Sequence, residues 1–386
     1  MAQHPQDAVV RVDIPAHASQ YEVVVGAGIL ADLGTRVRAS APNPQALLIV
    51  DEAVAHTYGR QVTDSLSEAG IAVAATEVVA VSEQNKVLAT WQGLMDRFLA
   101  VGLDRQSPVI AVGGGIVSDM AGFAAASYMR GIPFVAVPTT LLAMVDASVG
   151  GKTGVNAVMP SSAGSAPVLG KNLIGAFHQP SLVLADVETL ASLPDRVFRA
   201  GLAECVKHAM LADASLLTWM EQDAPGRYGD TSPGAMVDLV ARNVSIKASI
   251  VQQDERESFG PRMLLNLGHT FAHVIESQTA LGLQHGEAVG LGLIASCATG
   301  QALGMTEPGL DLRIERLLTR LGLPTRLADL DDTDILIRKM CGDKKASARR
   351  IRIVIPVVPG QAKIVENVQH DVIRVGWERI RAIREE

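Results

Sequence analysis

Short apolar segments alternate with amphipathic helical stretches through the N-terminal half, and this feature restricts the fold most. The apolar runs are rich in β-branched residues, each is followed by Asp, Gly or Pro-Thr, and they lie at Ala46–Val50, Val109–Val112, Phe134–Val137 and Leu182–Ala185. Runs this short and continuous are typical of strands buried on both faces of a parallel sheet. Between the first two runs, Asn85–Val101 predicts a helix with one apolar face. The pattern therefore predicts a doubly wound α/β layer over about residues 1–185.

The hydrophobic period changes in the C-terminal half, where strands give way to helical spacing. Runs with this spacing and with Pro or Gly at an end extend from Pro194 to Glu221, from Pro233 to about Glu255, and over Asp311–Leu321. We therefore predict two domains, an α/β domain over residues 1–190 and an all-helical domain over 191–386. A cleft between two unlike domains is a preferred place for a ligand site.

Composition excludes several functional classes. The chain has 386 residues, and its 34 Lys and Arg against 41 Asp and Glu give a net charge of −7, so it lacks the basic excess of a nucleic-acid-binding protein. Its three cysteines, Cys205, Cys297 and Cys341, are far apart, which argues against a disulfide framework or a cysteine zinc cage. Asp7 and Arg11 interrupt any signal-peptide core, and no apolar run reaches the ~20 residues of a membrane span. We expect a soluble, cytoplasmic protein with neither a nucleic-acid nor a membrane partner.

Two glycine-rich segments are candidates for binding a phosphate. The second predicted strand leads directly into Gly113–Gly115, and a helix is predicted from about Met120. Glycines there let backbone N–H groups approach a phosphate, although a tight turn without a ligand explains them equally well, since the third glycine of the dinucleotide fingerprint is replaced by Ser118. At Gly151–Thr153, a Walker loop would need glycine where Asp146 stands. Nucleotide hydrolysis is therefore not supported.

Histidines and a carboxylate in the helical half are candidate metal ligands. His269 and His273 are four residues apart on one predicted helix face, His285 follows in QHGEAVG, and Glu204 lies on an earlier helix. Histidines with one carboxylate and an open position form catalytic zinc sites. A metalloprotease would need Glu directly after the first His, but Thr270 stands there. Any one of these histidines alone would more often be a core or surface residue.

Cationic side chains are numerous for an acidic chain. Glu204 and Lys207 are three apart on a helix, and the ordinary interpretation is an exposed surface pair. Solvated surface is also the ordinary interpretation of Lys247, Arg262, Asn266, Lys344 and Lys345. Together with Arg130, Lys152 and Lys171, these cations would suit a small substrate that carries both a phosphate and a carboxylate.

Long motifs also carry a family resemblance. They are GGGIVSDMAGFAAASYMRGIPFVAVPTTLLAMVDASVGGKTGVN, GKNLIGAFHQP, AGLAECVKH, LLNLGHTFAHVIE and QHGEAVGLG. From VDEAV at Asp51 to DKK before Ala346, the chain resembles the 3-dehydroquinate synthase family of sugar phosphate cyclases. The resemblance implies an NAD-binding α/β domain, a helical domain, a zinc or cobalt ion at their cleft, and a homodimer.

Specific residues are implied by motif position. The implied metal ligands are Glu204, His269 and His285, and the implied catalytic residues are Lys152, Lys207, Glu257, Asn266 and His273. Substrate contacts are implied for Arg130, Asp146, Lys152, Asn172, Lys207, Lys247, Arg262, Asn266, His273, Lys344 and Lys345. NAD contacts are implied for Asp51, Glu83, Lys86, Gly114, Gly115, Asp119, Thr139, Thr140, Asp146, Lys152, Lys171, Thr189 and Leu190.

The implied reaction converts 3-deoxy-D-arabino-heptulosonate 7-phosphate to 3-dehydroquinate and phosphate, in the shikimate pathway. NAD takes a hydride from C5, the metal polarises the C5 oxygen, phosphate is eliminated, the hydride returns, and an aldol reaction closes the carbocycle. We expect the phosphate to be bound by Arg130, Asn172, Arg262 and Lys345. We expect the acid end to be oriented by Lys152, Lys247 and Asn266.

One segment departs from the family pattern, and two other functions remain open. Ala157–Gly170 replaces a short H-P-x-G-K-N link with a charge-free stretch of small residues, which predicts a flexible loop. This insertion is either a tolerated surface loop or an altered lid over the cofactor site. Another sugar phosphate cyclase, of the valiolone or inosose type, or a metal-dependent alcohol dehydrogenase would use the same fold. The GGKTGVN segment, Asn266 and the DKK cluster favour dehydroquinate synthase.

Overall fold

The computed structural model describes residues 7–14, 19–159, 168–257, 260–341 and 351–382. By its internal contacts the chain divides into two compact units, Met1–Leu193 with Ser232–Gln252, and Pro194–Thr231 with Gln253–Glu386. A helix from the C-terminal half thus belongs to the first unit, whereas the sequence pattern places all residues after 190 in the second domain. None of the helices in the described ranges is long and apolar enough to span a membrane.

The strands and helices alternate in the N-terminal half as the hydrophobic pattern predicts. The strands are β1 (Ala8–Ile14), β2 (Ser19–Gly26), β3 (Gln45–Asp51), β4 (Ala72–Val79), β5 (Val109–Gly113), β6 (Phe134–Pro138), β7 (Lys152–Met159), β8 (Val168–Phe177), β9 (Leu182–Asp186), β10 (Ile351–Val358) and β11 (Gln361–Val368). The helices are α1 (Leu33–Ser40), α2 (Arg60–Glu68), α3 (Leu88–Val101), α4 (Gly115–Ser127), α5 (Asp195–Ala212), α6 (Ala214–Asp223), α7 (Pro233–Gln253), α8 (His269–Ser277), α9 (His285–Ala302), α10 (Leu310–Arg320), α11 (Thr333–Met340) and α12 (His370–Ile380).

The first unit is built on a seven-stranded sheet of order β1-β2-β9-β6-β5-β3-β4. Strand β1 is antiparallel to β2, and the other pairs are parallel. Strands β5, β6 and β9 are buried along their whole length, which explains their continuous apolar sequences. On one face, Leu48 and Ile110 pack in a core with Leu33 of α1 and Leu66 of α2. The four predicted strands are confirmed as β3, β5, β6 and β9.

The sheet reverses its winding between β3 and β5. Strand β4 lies on one side of β3, whereas β5 and then β6 follow on the other side. In open α/β sheets, ligands bind beyond the carboxyl ends of the strands at such a switch point. The helix after β5 begins at Gly115 rather than at about Met120. The glycine segment therefore forms the helix N-terminus itself.

A two-stranded antiparallel ribbon, β7–β8, corrects the prediction for the insertion. Residues 157–159 pair with residues 168–170, so the ends of the predicted flexible loop are strands. Residues 160–167 lie outside the described part of the chain. The composition of small residues indicated a loop, but β structure depends on pairing with a partner strand more than on intrinsic preference.

The second unit is mostly helical, and α9 lies at its centre. Helix α9 contacts α5, α8, α10, α12 and β10, which explains why 15 of its 18 residues are buried. The prediction of an all-helical domain is wrong, because β10 and β11 form an antiparallel hairpin in this unit. The predicted run from Pro194 to Glu221 is divided at Asp213, whose carboxylate caps α6.

Candidate active site

The carboxyl ends of four neighbouring strands bring together many of the residues implied for NAD binding. Strands β3, β5, β6 and β9 end at Asp51, Gly113, Pro138 and Asp186. The implied residues at or just beyond these ends are Asp51, Gly114, Gly115, Thr139, Thr140, Thr189 and Leu190. The switch point of the sheet lies between the first two of these strands, so the predicted location is the one where this fold class binds ligands.

The glycines at this edge lie where β5 joins α4, and a side chain at either would press against a neighbouring residue. A Cβ at Gly114 would lie 3.2 Å from Thr140 Cγ2, and a Cβ at Gly115 would lie 3.0 Å from Ala147 Cβ. Gly114 is the N-cap of α4, and no described side chain caps it, so first-turn N–H groups can donate to a phosphate. These features fit a dinucleotide pyrophosphate.

Thr189 and Leu190 differ from the other implied cofactor residues, because both side chains are buried. The Thr189 hydroxyl donates to the Asp186 carbonyl at 2.8 Å, and the Thr189 carbonyl accepts from the Tyr58 hydroxyl at 3.1 Å. A ligand contact from this pair would therefore have to come from the backbone.

A polar cluster joins residues implied for cofactor and for substrate. The buried Lys86 ammonium lies 2.5 Å from Asp119 Oδ2 and 2.5 Å from Asn172 Oδ1. Lys171, which precedes Asn172 in the chain, has its Nζ 3.8 Å from Glu83 Oε1. The structure thus brings these five residues together, as their implied roles require.

Sequence reasoning missed Asn156, which holds this cluster in place. Its side chain is 1% exposed, and it bonds both to Glu83 and to the backbone of Asn172. The sequence signal that could have identified it is its position, because Asn156 is the last residue of GKTGVN and stands immediately before the insertion.

Lys247 of α7 is buried rather than solvated, which corrects its ordinary interpretation. Its ammonium lies 2.8 Å from the Asp146 carboxylate and also donates to the Asp146 carbonyl oxygen. The two residues are far apart in sequence, and their contact joins α7 to the rest of the first unit.

A cavity of about 410 Å³ opens beside the polar cluster. It is lined by Asp119, Lys152 and Asn172 and by ribbon residues Thr153, Gly154, Leu173 and Gly175–Phe177. Arg130, although implied for substrate, is exposed and does not line this cavity. It follows Met129 in a strained turn, with φ values of 68° and 49°.

In the second unit, the three implied metal ligands converge. Glu204 Oε1 lies 3.2 Å from His285 Nε2 and 3.7 Å from His269 Nε2. One donor atom from each residue lies within 4.8 Å of the other two. Two imidazoles and a carboxylate are a ligand set for zinc, and the same set suits cobalt. The residues therefore fit the implied metal.

Close backbone contacts between helices produce this convergence. A Cβ at Gly286 would lie 1.8 Å from the Ala200 carbonyl oxygen, so α9 touches α5 beside His285. A Cβ at Gly292 would lie 2.1 Å from the Gly268 carbonyl oxygen, so α8 touches α9 beside His269. Each contact places one histidine near Glu204, which lies one turn after Ala200.

The electrostatics around Glu204 are those of a closed, mostly buried cluster. The Lys207 ammonium pairs with Glu204 Oε2, and both side chains are buried, so the interpretation of this pair as exposed surface is wrong. Burial is the main cause that lowers the pKa of His269 to about 3, which leaves its imidazole neutral. Burial also lowers the pKa of His285, but Glu204 and Glu276 outweigh it and raise that pKa to about 10.

Other implied residues of the second unit form a polar group near these helices. Asn266 Nδ2 donates to Glu257 Oε1 at 2.9 Å, and the His273 ring lies 5.5 Å from the His269 ring. Arg262 is buried and donates to the Glu255 carbonyl oxygen, so it is not solvated surface either. The implied residues Lys344 and Lys345 lie outside the described residues.

Known proteins resemble this chain over nearly its whole length. Relatives named 3-dehydroquinate synthase include one from Symbiobacterium thermophilum, 44% identical over 94% of this chain and 98% of the relative. Another, from a Bradyrhizobium species, is 40% identical over 94% of each chain. The solved 2-epi-5-epi-valiolone synthase from Streptomyces hygroscopicus, with NAD+ and Zn2+ bound, matches with TM-score 0.81 and 30% identity, over 93% of this chain and 96% of that one.

A further structural match shares the fold at lower identity. A 2-deoxy-scyllo-inosose synthase complexed with carbaglucose-6-phosphate, NAD+ and Co2+ matches with TM-score 0.82 and 22% identity, over 96% of this chain and all of that one. Family models described as 3-dehydroquinate synthase N-terminal and C-terminal match residues 76–200 and 201–346. Because these models span most of the chain and the curated relatives cover nearly all of it, the chain belongs to the 3-dehydroquinate synthase family.

Proposed function

We propose that this protein converts 3-deoxy-D-arabino-heptulosonate 7-phosphate to 3-dehydroquinate and phosphate, which is a step of aromatic amino acid biosynthesis. The observation that carries the proposal is the convergence of Glu204, His269 and His285 at the motif positions where the family resemblance implies metal ligands. Membership of the family supports the same activity.

NAD is the proposed cofactor of the first unit. When bound, it supplies a hydride acceptor that is restored within the same catalytic cycle. Gly114 and Gly115 would present backbone N–H groups to its pyrophosphate, and Asp51 stands at the end of the neighbouring strand. Relatives of this fold carry NAD+ in their solved structures, which supports the assignment.

A zinc or cobalt ion is the proposed cofactor of the second unit, held by Glu204, His269 and His285. Such an ion supplies a Lewis acid that polarises a substrate oxygen. Lys207 has a distinct task here, because its ammonium holds Glu204 Oε2 and leaves Oε1 directed at the two histidines. The ion pair therefore fixes which carboxylate oxygen faces the metal.

Recognition of the doubly anionic substrate is assigned to the remaining cationic and amide side chains. We assign the phosphate to Arg130, Asn172, Arg262 and Lys345, and the carboxylate to Lys152, Lys247 and Asn266. Asp146 orients Lys247 through its carboxylate and its carbonyl oxygen. His273, Glu257 and Lys344 are the further proposed substrate-side residues, and we assign proton exchange to His273 and Glu257.

Phosphate release with a catalytic amount of NAD tests the proposed function. We expect one phosphate per heptulosonate phosphate when NAD is far below the substrate concentration, because the hydride returns to the product. A sugar phosphate without the carboxylate is the control for another cyclase, and it should be turned over much more slowly. Accumulation of reduced NAD in proportion to product would contradict the proposal and favour an alcohol dehydrogenase.

We also infer a homodimer in the cytoplasm, as the family resemblance implies. The three cysteines are buried thiols, which agrees with a reducing compartment. Light scattering on the purified protein should give about twice the chain mass of 40.7 kDa. A mass equal to one chain at micromolar concentration would contradict the dimer.

A further inference from the structure

Asn156 uses its backbone N–H and both polar atoms of its side-chain amide to join two separate segments. Its backbone N–H donates to the Lys86 carbonyl at 2.7 Å, and its Nδ2 donates to the Glu83 carbonyl at 3.0 Å and to Glu83 Oε2 at 2.8 Å. Its Oδ1 accepts from the Asn172 backbone N–H at 2.9 Å. A buried amide with this many partners fixes the groups around it.

The ribbon β7–β8 is irregular at this residue. Val155 pairs with Ile174 and Ala157 pairs with Gly170, so Asn156 alone opposes residues 171–173. The bulge turns this stretch out of the ladder, and Asn172 adopts φ 54°, a left-handed conformation that asparagine tolerates. Bonding of the Asn172 N–H to the Asn156 side chain stabilises this conformation.

A closed loop of contacts follows. Asn156 holds the backbone of Asn172, the Asn172 side chain contacts the Lys86 ammonium at 2.5 Å, and the Lys86 carbonyl accepts from Asn156. Lys86 also contacts Asp119. The segment at residues 83–87 carries side chains proposed to bind NAD, and the segment at 171–172 carries a proposed substrate contact. Asn156 touches both.

We propose that Asn156 is a positioning residue that sets the cofactor-side segment 83–87 and the substrate-side segment 171–172 in one arrangement. The inference rests on the proposed function. Because both segments depend on the same amide, binding of NAD orders the substrate-side asparagine, and binding of substrate orders the cofactor side. The extra residues of the insertion extend the ribbon beyond the bulge, from the pair Ala157 and Gly170 outward. The contacts of Asn156 at the bulge thus lie between the inserted residues and the part of the ribbon, from Lys152 to Val155, that is nearer the candidate site.

Equilibrium NAD binding, followed by calorimetry, tests this role without relying on turnover. Asn156→Ala should raise the Kd of NAD about tenfold, because it removes the side-chain bonds to Glu83 and to the Asn172 backbone. The KM for substrate should rise as well. The proposed coupling also predicts that inorganic phosphate lowers the Kd of NAD in the wild type, and that this gain in affinity is reduced or lost in the variant.

A charge swap separates positioning from general structural damage. Asn156→Asp keeps an acceptor for the Asn172 N–H but opposes the Glu83 carboxylate with a like charge, so NAD binding should weaken. Adding Glu83→Gln restores a donor and acceptor pair with the direction reversed, so the double variant should bind NAD more tightly than Asn156→Asp and about as tightly as the single variant Glu83→Gln. If Asn156 had only a general structural role, Glu83→Gln would not restore NAD binding to Asn156→Asp.

The insertion supplies the matched control. Replacing residues 159–168 by Asn-Gly leaves Asn156, the bulge and the pairs at 157 and 158 in place, with a favoured hairpin turn. We expect the Kd of this variant for NAD to stay within about twofold of wild type. This is far less than the change of about tenfold, or about 1.4 kcal/mol, expected of Asn156→Ala. If Asn156→Ala binds NAD with the wild-type Kd, the inference is overturned. If the wild-type protein does not bind NAD, the proposed function fails first.

Discussion

The Gly286→Ala variant is expected to lose metal binding and to have a strongly reduced free energy of unfolding. The added Cβ would lie 1.8 Å from the Ala200 carbonyl oxygen and 2.5 Å from its carbonyl carbon. Both atoms are backbone atoms of α5, so no side chain can rotate away, and α5 and α9 must separate. Forced repacking of this kind costs about 3 kcal/mol.

The loss of metal follows from the same displacement. Glu204 lies one turn along α5 from Ala200, and His285 is the immediate neighbour of Gly286. Separating the helices therefore moves the two ligands apart, and we expect metal affinity to fall at least about 100-fold, the upper range for disturbed ligand support. Urea unfolding and the zinc content after dialysis against a chelator measure the two effects.

Gly290→Ala is the matched control on the same helix. Among the residues that the structure describes, its Cβ would meet only the Leu318 side chain, at 3.5 and 3.6 Å, which is ordinary contact. Alanine is the better helix former by up to about 1 kcal/mol, so this variant should be as stable as wild type or more so, with its full zinc content. Equal behaviour of the two variants would contradict the argument that close helix contact at Gly286 assembles the site.

These glycines show where sequence reasoning stops. Spacing alone left His273 a candidate ligand beside His269, and the set of Glu204, His269 and His285 was implied by the family motifs, which record the residues that carry the chemistry. The need for glycine at 286 comes from Ala200, a contact that local patterns do not record. Burial of Lys207 is similar, because a lysine three residues from a glutamate has the same sequence pattern on a surface as in a core.

The strands show the same division. Buried strands such as β5 were predictable, since their apolar runs are short and continuous. The hairpin β10–β11 was missed although Pro359-Gly360 between two β-rich runs is a turn signal, and Gly360 has φ 82° there. The all-helical prediction applied the helical spacing of the preceding segments to the residues of this hairpin as well. In the ribbon β7–β8, the turn residues of the insertion were recognised, but its ends at 157–159 and 168–170 were not, because pairing rather than composition makes those residues strands.

Removing the Glu204 carboxylate is expected to abolish both bound zinc and phosphate release, and also to destabilise the second unit. Glu204 and Lys207 are buried together, so Glu204→Ala leaves an ammonium without its counter-charge. Breaking a buried pair from one side costs about 3–5 kcal/mol. His269→Ala should lose zinc and activity too, but the His269 imidazole is neutral, so its removal leaves no buried charge uncompensated, and its unfolding free energy in chelator should stay closer to that of the metal-free wild type.

A double replacement separates the two roles of the carboxylate. Glu204→Met combined with Lys207→Met removes both buried charges and keeps the volume, so it should recover most of the stability lost in Glu204→Ala while still binding no zinc. Urea unfolding in chelator, zinc content and phosphate release distinguish the variants. Zinc retained at one equivalent per chain in His269→Ala or Glu204→Ala would refute the metal assignment. If Glu204→Ala has the unfolding free energy of the metal-free wild type, Lys207 is stabilised by partners other than Glu204.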